Sequence, residues 1–186
     1  MILALEAGAE VYHSRESALR LAFADADTVV KRQLFLDDDE ARKAEERARV
    51  KLPSRLVTMY VGQRGGEVTG YAFIETHQVR TLPETILIVI DPGGKVRAVH
   101  ILAFHEPREY GASDSWLSQF EGRALSEDLS LRGDIAGIAG ATLTATAITA
   151  AVRRTLAVFE TSVGVDDDGP EGGGPGSAGS TVSGGN

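Results

Sequence analysis

Two stretches decide the fold: residues 56–75, LVTMYVGQRGGEVTGYAFIE, and residues 85–104, TILIVIDPGGKVRAVHILAF. Each holds two runs rich in β-branched and aromatic residues around a turn. In the first, 56–61 and 68–75 flank Gly62-Gln63-Arg64-Gly65-Gly66. In the second, 85–90 and 95–104 flank Asp91-Pro92-Gly93-Gly94. Strand formers separated by Gly/Pro turn chemistry predict hairpins. Loops this short force antiparallel pairing. The run 86–90, ILIVI, is apolar without alternation, so both of its faces must be covered and it belongs inside the sheet.

Working outward, residues 14–23 predict a short helix capped by Ser14, with Ala18, Leu19, Ala22 and Phe23 on one face. Residues 28–36 predict a strand. Residues 37–52 predict a helix that opens with Asp37 and Glu40, a pair able to satisfy two amides of the first turn. Its body, EARKAEERARVKL, is a run of mixed charge and reads as a solvated helix; Pro53 ends it. Downstream, 113–120 predicts a short helix. Residues 142–160 give the most periodic one, with Ile148, Val152, Leu156 and Phe159 in one stripe. Arg153 and Arg154 are expected late in that helix, facing carbonyls or solvent near its negative end.

The fold class that follows is α+β: an antiparallel sheet built from two hairpins and packed by helices, with an N-terminal helix-strand-helix segment docked against it. Three regions are expected. Residues 1–55 form an N-terminal helical segment, 56–165 the main domain, and 166–186 a Gly-rich tail too poor in apolar residues to fold.

Hydrophobic residues make up 42% of the 186 and charged residues 25%, the balance of a globular protein able to form a core. The formal net charge is -8 and the basic residues are scattered, so no surface suits nucleic acid. There is no cysteine, which excludes disulfides, Fe–S clusters, thiol nucleophiles and Cys-ligated zinc together. The four histidines, His13, His77, His100 and His105, show no i,i+3 or i,i+4 pair, so no zinc site is expected. No run is long enough for a transmembrane helix. The opening MILALEAGA ends in a small-x-small pattern, Ala7-Gly8-Ala9. It reads either as a frayed terminus or as the tail of a signal peptide.

The chemistry lies in residues 134–144, Asp-Ile-Ala-Gly-Ile-Ala-Gly-Ala-Thr-Leu-Thr. Small residues lead directly into the strongest helix. A helix N-terminus offers open N–H groups and partial positive charge, which suit a phosphate. The small side chains let a ligand reach the backbone. These features alone leave two readings open, anion binding and ordinary helix capping by threonine. The loop lacks the Gly-Lys-Ser/Thr of a P-loop and has no parallel βαβ context for a dinucleotide fold.

Gly140-Ala141-Thr142-Leu143-Thr144 resembles the Ser/Thr-Gly-Ala-Thr/Ser-x-Thr signature of the FMN-binding domain family. That family includes the peripheral flavin subunits of sodium-translocating NADH:quinone reductase and of the Rnf complex. The resemblance covers roughly residues 56–160. It takes in the Asp91–Lys95 turn, the cluster His105-Glu106-Pro107, and the alanine-rich helix after the motif. It implies FMN as cofactor, joined by its phosphate to Thr144 by a dedicated flavin transferase that uses FAD and a metal. Thr142, Gly140, Ala141 and Leu143 are then expected around the phosphate, with Trp116, Tyr110 and Phe104 as candidates to stack on the ring. Glu106 is expected at the ribityl chain or ring, or else as a solvated carboxylate. The chain departs from the signature at Ala139, where a hydroxyl residue is usual, and at Ala136, where an Asp is usual; Asp134 lies two residues earlier.

The resemblance further implies a periplasmic or membrane-associated electron carrier with a membrane electron-transfer complex or another redox carrier as partner. It suggests a subunit of an oxidoreductase more than a stand-alone enzyme. The alternative is a sensory or structural module that binds FMN or another phosphate ligand without redox turnover.

Overall fold

The computed structural model describes residues 10–163. The expectations for residues 1–9 and for the 166–186 tail lie outside the described residues. In chain order come β1 (Glu10–Val11), α1 (Arg15–Ala22), β2 (Thr28–Phe35), α2 (Asp38–Ala48), β3 (Leu56–Arg64) and β4 (Glu67–Gln78). After them come β5 (Pro83–Ile90), β6 (Val96–Phe104), α3 (Asp114–Leu117) and α4 (Thr142–Ser162). The α+β expectation holds. The two hairpins, β3–β4 and β5–β6, join through an antiparallel β4–β5 pair into one six-stranded sheet of order β1-β6-β5-β4-β3-β2.

The continuous apolar run finds its reason here. Strand side chains alternate between faces, so Ile86, Ile88 and Ile90 enter one core while Leu87 and Val89 enter a second core on the opposite face. All five are 0–1% exposed. Full burial of such a side chain stabilises by about 1.5–3 kcal/mol, which makes β5 the spine of the sheet.

The N-terminal helix-strand-helix segment is woven into this sheet. β2 pairs with β3 along its whole length, from Thr28 opposite Gln63 to Phe35 opposite Leu56. α1 begins at the expected cap, with Ser14 Oγ accepting from the Ser17 amide at 3.2 Å. It covers the second core with Ala18 and Ala22, and Phe23 follows. The Phe23 ring sits against β3 at Gly62, where an added Cβ would stand 2.3 Å from it. Gly62 is thus required for close approach.

α2 opens with the expected reciprocal cap. Asp37 accepts from the amides of Asp39 and Glu40, and Glu40 accepts from the Asp37 amide. The expectation of a solvated helix is corrected. Ala41, Ala44 and Ala48 are buried in the main core together with α4. Three alanines at spacings of three and four make a narrow smooth stripe, and the charged residues occupy the rest of the circumference.

α4 forms the floor of that core and runs farther than expected, to Ser162. Arg153 and Arg154 therefore sit mid-helix, which removes the helix-end argument for them. Arg153 is 7% exposed, with Nε donating to the Ala48 carbonyl at 2.7 Å. Its Nη1 donates to the carbonyls of Ser126 at 2.7 Å and Leu129 at 2.8 Å. It pins the end of α2 and the 126–129 stretch to α4. Arg154 pairs with Glu75 of β4.

Candidate functional site

The loop before α4 is positioned by side chains far from it in sequence. Leu129 and Ile135 are fully buried and plug the loop into the main core. The Ala136 peptide is gripped on both sides. Its carbonyl accepts from Trp116 Nε1 at 2.6 Å, and its amide donates to Gln119 Oε1 at 2.8 Å. Asp134 is engaged by Arg123, whose backbone carbonyl in turn accepts from Val96 at the start of β6. The loop is thus fixed as far as Ala136 and emerges on the surface at Gly137, Ala139 and Gly140, all exposed.

Gly140 makes the turn into the helix, with φ of 80°, a conformation that a residue with a Cβ adopts at a cost. Ala141 N–H closes the turn onto the Ile138 carbonyl at 3.1 Å. Ala141 is the N-cap and supplies no side-chain hydrogen bond. The amides of Thr142, Leu143 and Thr144 have no acceptor within the helix, as the first turn of any helix dictates. A 21-residue helix thereby ends in an uncapped, partially positive turn. A Cβ added at Gly137 or Gly140 would meet nothing within 4 Å, so neither glycine makes room for protein atoms. The space they leave is on the outside, where an anion would approach the backbone.

The other expected residues fall into three places. Thr142 and Leu143 are exposed at the helix start; Leu143 is 53% exposed, a large apolar side chain left in solvent. Thr144 is 1% exposed, and its Oγ1 donates to the Tyr110 carbonyl at 2.5 Å. Trp116 is buried edge-on against Phe120, ring centroids 5.5 Å apart. It lines a groove of about 530 Å³ with Gly111, Ser113, Gln119, Gly137 and Ile138. That volume lies in the range of small-molecule sites. Phe104 instead lines an adjoining cleft of about 860 Å³ with Tyr12, His13 and His100. The two clefts share Gly111 and Ser113.

Glu106 is buried and occupied. Its Oε1 accepts the backbone amides of Leu82 at 2.8 Å, Thr81 at 2.7 Å and Arg80 at 3.2 Å. These bonds, those from Thr81 and Leu82 foremost, hold its carboxyl below the ordinary carboxylate pKa. Its role in the fold is to shape the β4–β5 connection. That connection bears on the site, because it places the Arg80 guanidinium over the Tyr110 ring, 5.1 Å from its centroid. Glu106, Arg80, Tyr110 and Thr144 thus form one line of contacts.

Gln119, Arg80 and Arg123 belong to the site and were not legible in the sequence. Each acts through a hydrogen bond or ring contact with a distant residue, and none stands in a motif. Among the described residues no group of three or more His, Asp or Glu could hold a metal ion, and no helix is long and apolar enough to cross a membrane.

The uncapped helix end, the open glycines and the adjoining groove fit a phosphate carrying a flat ring. Comparison with known proteins bears on the cofactor. Residues 82–157 match the family model of the FMN-binding domain. Over 125 residues the chain is 28% identical to one subunit of the Na(+)-translocating ferredoxin:NAD(+) oxidoreductase complex of Acetobacterium woodii, the match covering 58% of each. The chain thus spans 58% of the length of the curated relative it matches. FMN is the cofactor these matches support.

Proposed function

We propose that this chain, with its FMN-binding domain at residues 82–157, is an electron carrier whose FMN phosphate is esterified to Thr144. The observation that carries the reading is the uncapped first turn of α4 behind an outward-open glycine loop. Thr144 sits in that turn, so a phosphate on its oxygen lies against the helix amides, where partial positive charge stabilises an anion by about 0.3–1 kcal/mol or more. Leu143 presents an apolar side chain beside the same turn. Trp116 offers an apolar wall to the groove while its N–H is spent on Ala136. When bound, the isoalloxazine ring supplies the redox chemistry, and the protein supplies position and electrostatics.

The partner implied is a membrane electron-transfer complex or another redox carrier, on the extracytoplasmic side, with a flavin transferase installing the group. The matched component of a Na(+)-translocating ferredoxin:NAD(+) oxidoreductase complex is the precedent for such a partnership. A second reading, a phosphate-binding sensory or structural module without turnover, is favoured by one feature: the Thr144 hydroxyl is buried and already bonded.

Intact mass after co-expression with a flavin transferase separates the two. A gain equal to FMN less water, present in wild type and in Thr142→Ala and absent in Thr144→Ala, supports the carrier. No gain in wild type supports the second reading, and a gain that persists in Thr144→Ala moves the acceptor elsewhere.

A further inference from the structure

The hydroxyl proposed to receive the flavin is closed off by the chain itself. Residues 107–112 lie between β6 and α3 and meet Thr144 at the Tyr110 carbonyl. Within them Tyr110 N–H donates to the Pro107 carbonyl at 2.9 Å and Gly111 N–H to the Arg108 carbonyl at 3.0 Å, so the segment is a single tight turn. Pro107, Arg108 and Glu109 are exposed, so the outer side of the turn faces solvent. Inward, the Tyr110 carbonyl accepts a hydrogen bond from the Thr144 hydroxyl at 2.5 Å. The Tyr110 ring lies under the Arg80 guanidinium, and the backbone of Arg80 is in turn clamped by Glu106.

We propose that residues 107–112 are a gate over Thr144, latched by Arg80 on Tyr110, that must lift for flavin attachment and is held open by the attachment afterwards. The inference rests on Thr144 being the acceptor. An oxygen on a residue that is 1% exposed cannot reach a phosphorus atom while the turn lies on it. Once the turn lifts, Oγ1 attacks the FMN-side phosphorus of FAD. The new Oγ1–P bond forms as the P–O bond to AMP breaks, AMP leaves with the electron pair, and the hydroxyl proton passes to solvent.

The product oxygen carries no hydrogen. It has lost the one donor it offered, so it and the Tyr110 carbonyl are now two acceptors, and at hydrogen-bond distance they repel. The phosphoryl group also fills space the turn had occupied. The gate cannot reseat, and Tyr110 is released at the rim of the groove that Gly111 and Trp116 line. The unmodified chain thereby hides its acceptor, and the modified chain displays a changed surface that a redox partner can distinguish.

The test uses the full chain with purified flavin transferase, FAD and Mg²⁺. Arg80→Ala removes the latch and leaves Thr144, Tyr110 and the backbone bonds to Glu106 in place. Its initial rate of mass gain is expected to be about two- to fivefold above wild type, the factor set by losing an exposed cation–π contact. Hydrogen exchange across residues 107–112 is expected to rise in wild type after flavin attachment. It should rise also, by a smaller amount, in unmodified Thr144→Val, which keeps the shape and lacks the donor. No mass gain in wild type overturns the acceptor assignment, and the gate with it. Mass gain in wild type with either an unchanged Arg80→Ala rate or unchanged exchange overturns the gate alone.

Discussion

Trp116 Nε1 donates to the carbonyl of Ala136 at 2.6 Å, and through that one bond the short helix after the sheet holds the loop proposed to present the phosphate. Trp116→Phe keeps an aromatic ring in the core and leaves the Ala136 carbonyl without its donor. The expected cost is about 1–2 kcal/mol, read as a lower midpoint in urea. A lower flavin-to-protein ratio should accompany it, because the loop from Gly137 onward loses its anchor. Equal midpoint and equal loading would show that Gln119, on the amide side, suffices to hold the loop.

Acid should loosen the β4–β5 connection before it unfolds the chain. The Glu106 carboxyl is held below its ordinary pKa by the amides of Thr81, Leu82 and Arg80. A depressed carboxylate contributes stability that is present above the unfolded value, about pH 4.3, and is lost as pH falls through the folded value. Protection of the amides of residues 80–82 against hydrogen exchange should therefore fall as pH drops below the ordinary carboxylate value, about 4.3. In Glu106→Gln the side-chain carbonyl can still accept these amides but cannot titrate, so the acid step should disappear. An acid step that survives in the variant would assign the effect to another group.

His100 works in the same direction at a higher pH. Burial, first among its causes, lowers its pKa, so the folded state prefers the neutral ring. The stability this contributes is present above the ordinary value, about pH 6.5, and falls as pH drops toward the folded value. His100→Gln should flatten the thermal-stability profile below about pH 6.5; a profile identical to wild type would remove His100 from the account.

The sheet was readable because its signals are local. Alternation, the Asp-Pro-Gly-Gly turn and the unbroken ILIVI run each lie within ten residues, and the hairpin pairing that follows from them is the observed one. Residues 121–141 carry no such signal. They are held by Arg123 on Asp134, by Gln119 and Trp116 on Ala136, and by Arg153 on Ser126 and Leu129, and no period marks such pairs. α2 lay between these cases. Its alanine spacing was present in the sequence, but charge dominated the composition and hid the buried stripe. At the site, the motif located the helix end and its glycines. The burial of Thr144 under Tyr110 depends on where a surface turn comes to rest, which no residue in the motif encodes.

Arg153 should matter for stability more than for flavin. Its guanidinium satisfies the carbonyls of Ala48, Ser126 and Leu129, the first and last of these bonds buried. Arg153→Met fills a similar volume and leaves those carbonyls unpaired, at an expected cost of about 2–4 kcal/mol. Chemical denaturation of the variant checks it. A loss under about 0.5 kcal/mol, the usual range for surface changes, would mean that water replaces the guanidinium freely.

The sharpest stability test lies on β4 and β5, where Glu84 is 0% exposed and faces its register partner His77, with Oε2 3.0 Å from Nε2. Glu75 stands two residues before His77 on the same face and is held from α4 by Arg154. A carboxylate this deep survives only with its partner, since a lone buried charge is expensive. His77→Leu should therefore cost about 3–5 kcal/mol. Most of that cost is the stranding of Glu84, so the double variant His77→Leu/Glu84→Leu should recover the greater part of it, with an apolar pair filling the same site. Denaturation of wild type, both single variants and the double variant closes the cycle. A double variant as unstable as His77→Leu would mean that the pair contributes through the geometry of the strand ends, and the stranded-charge argument would fall.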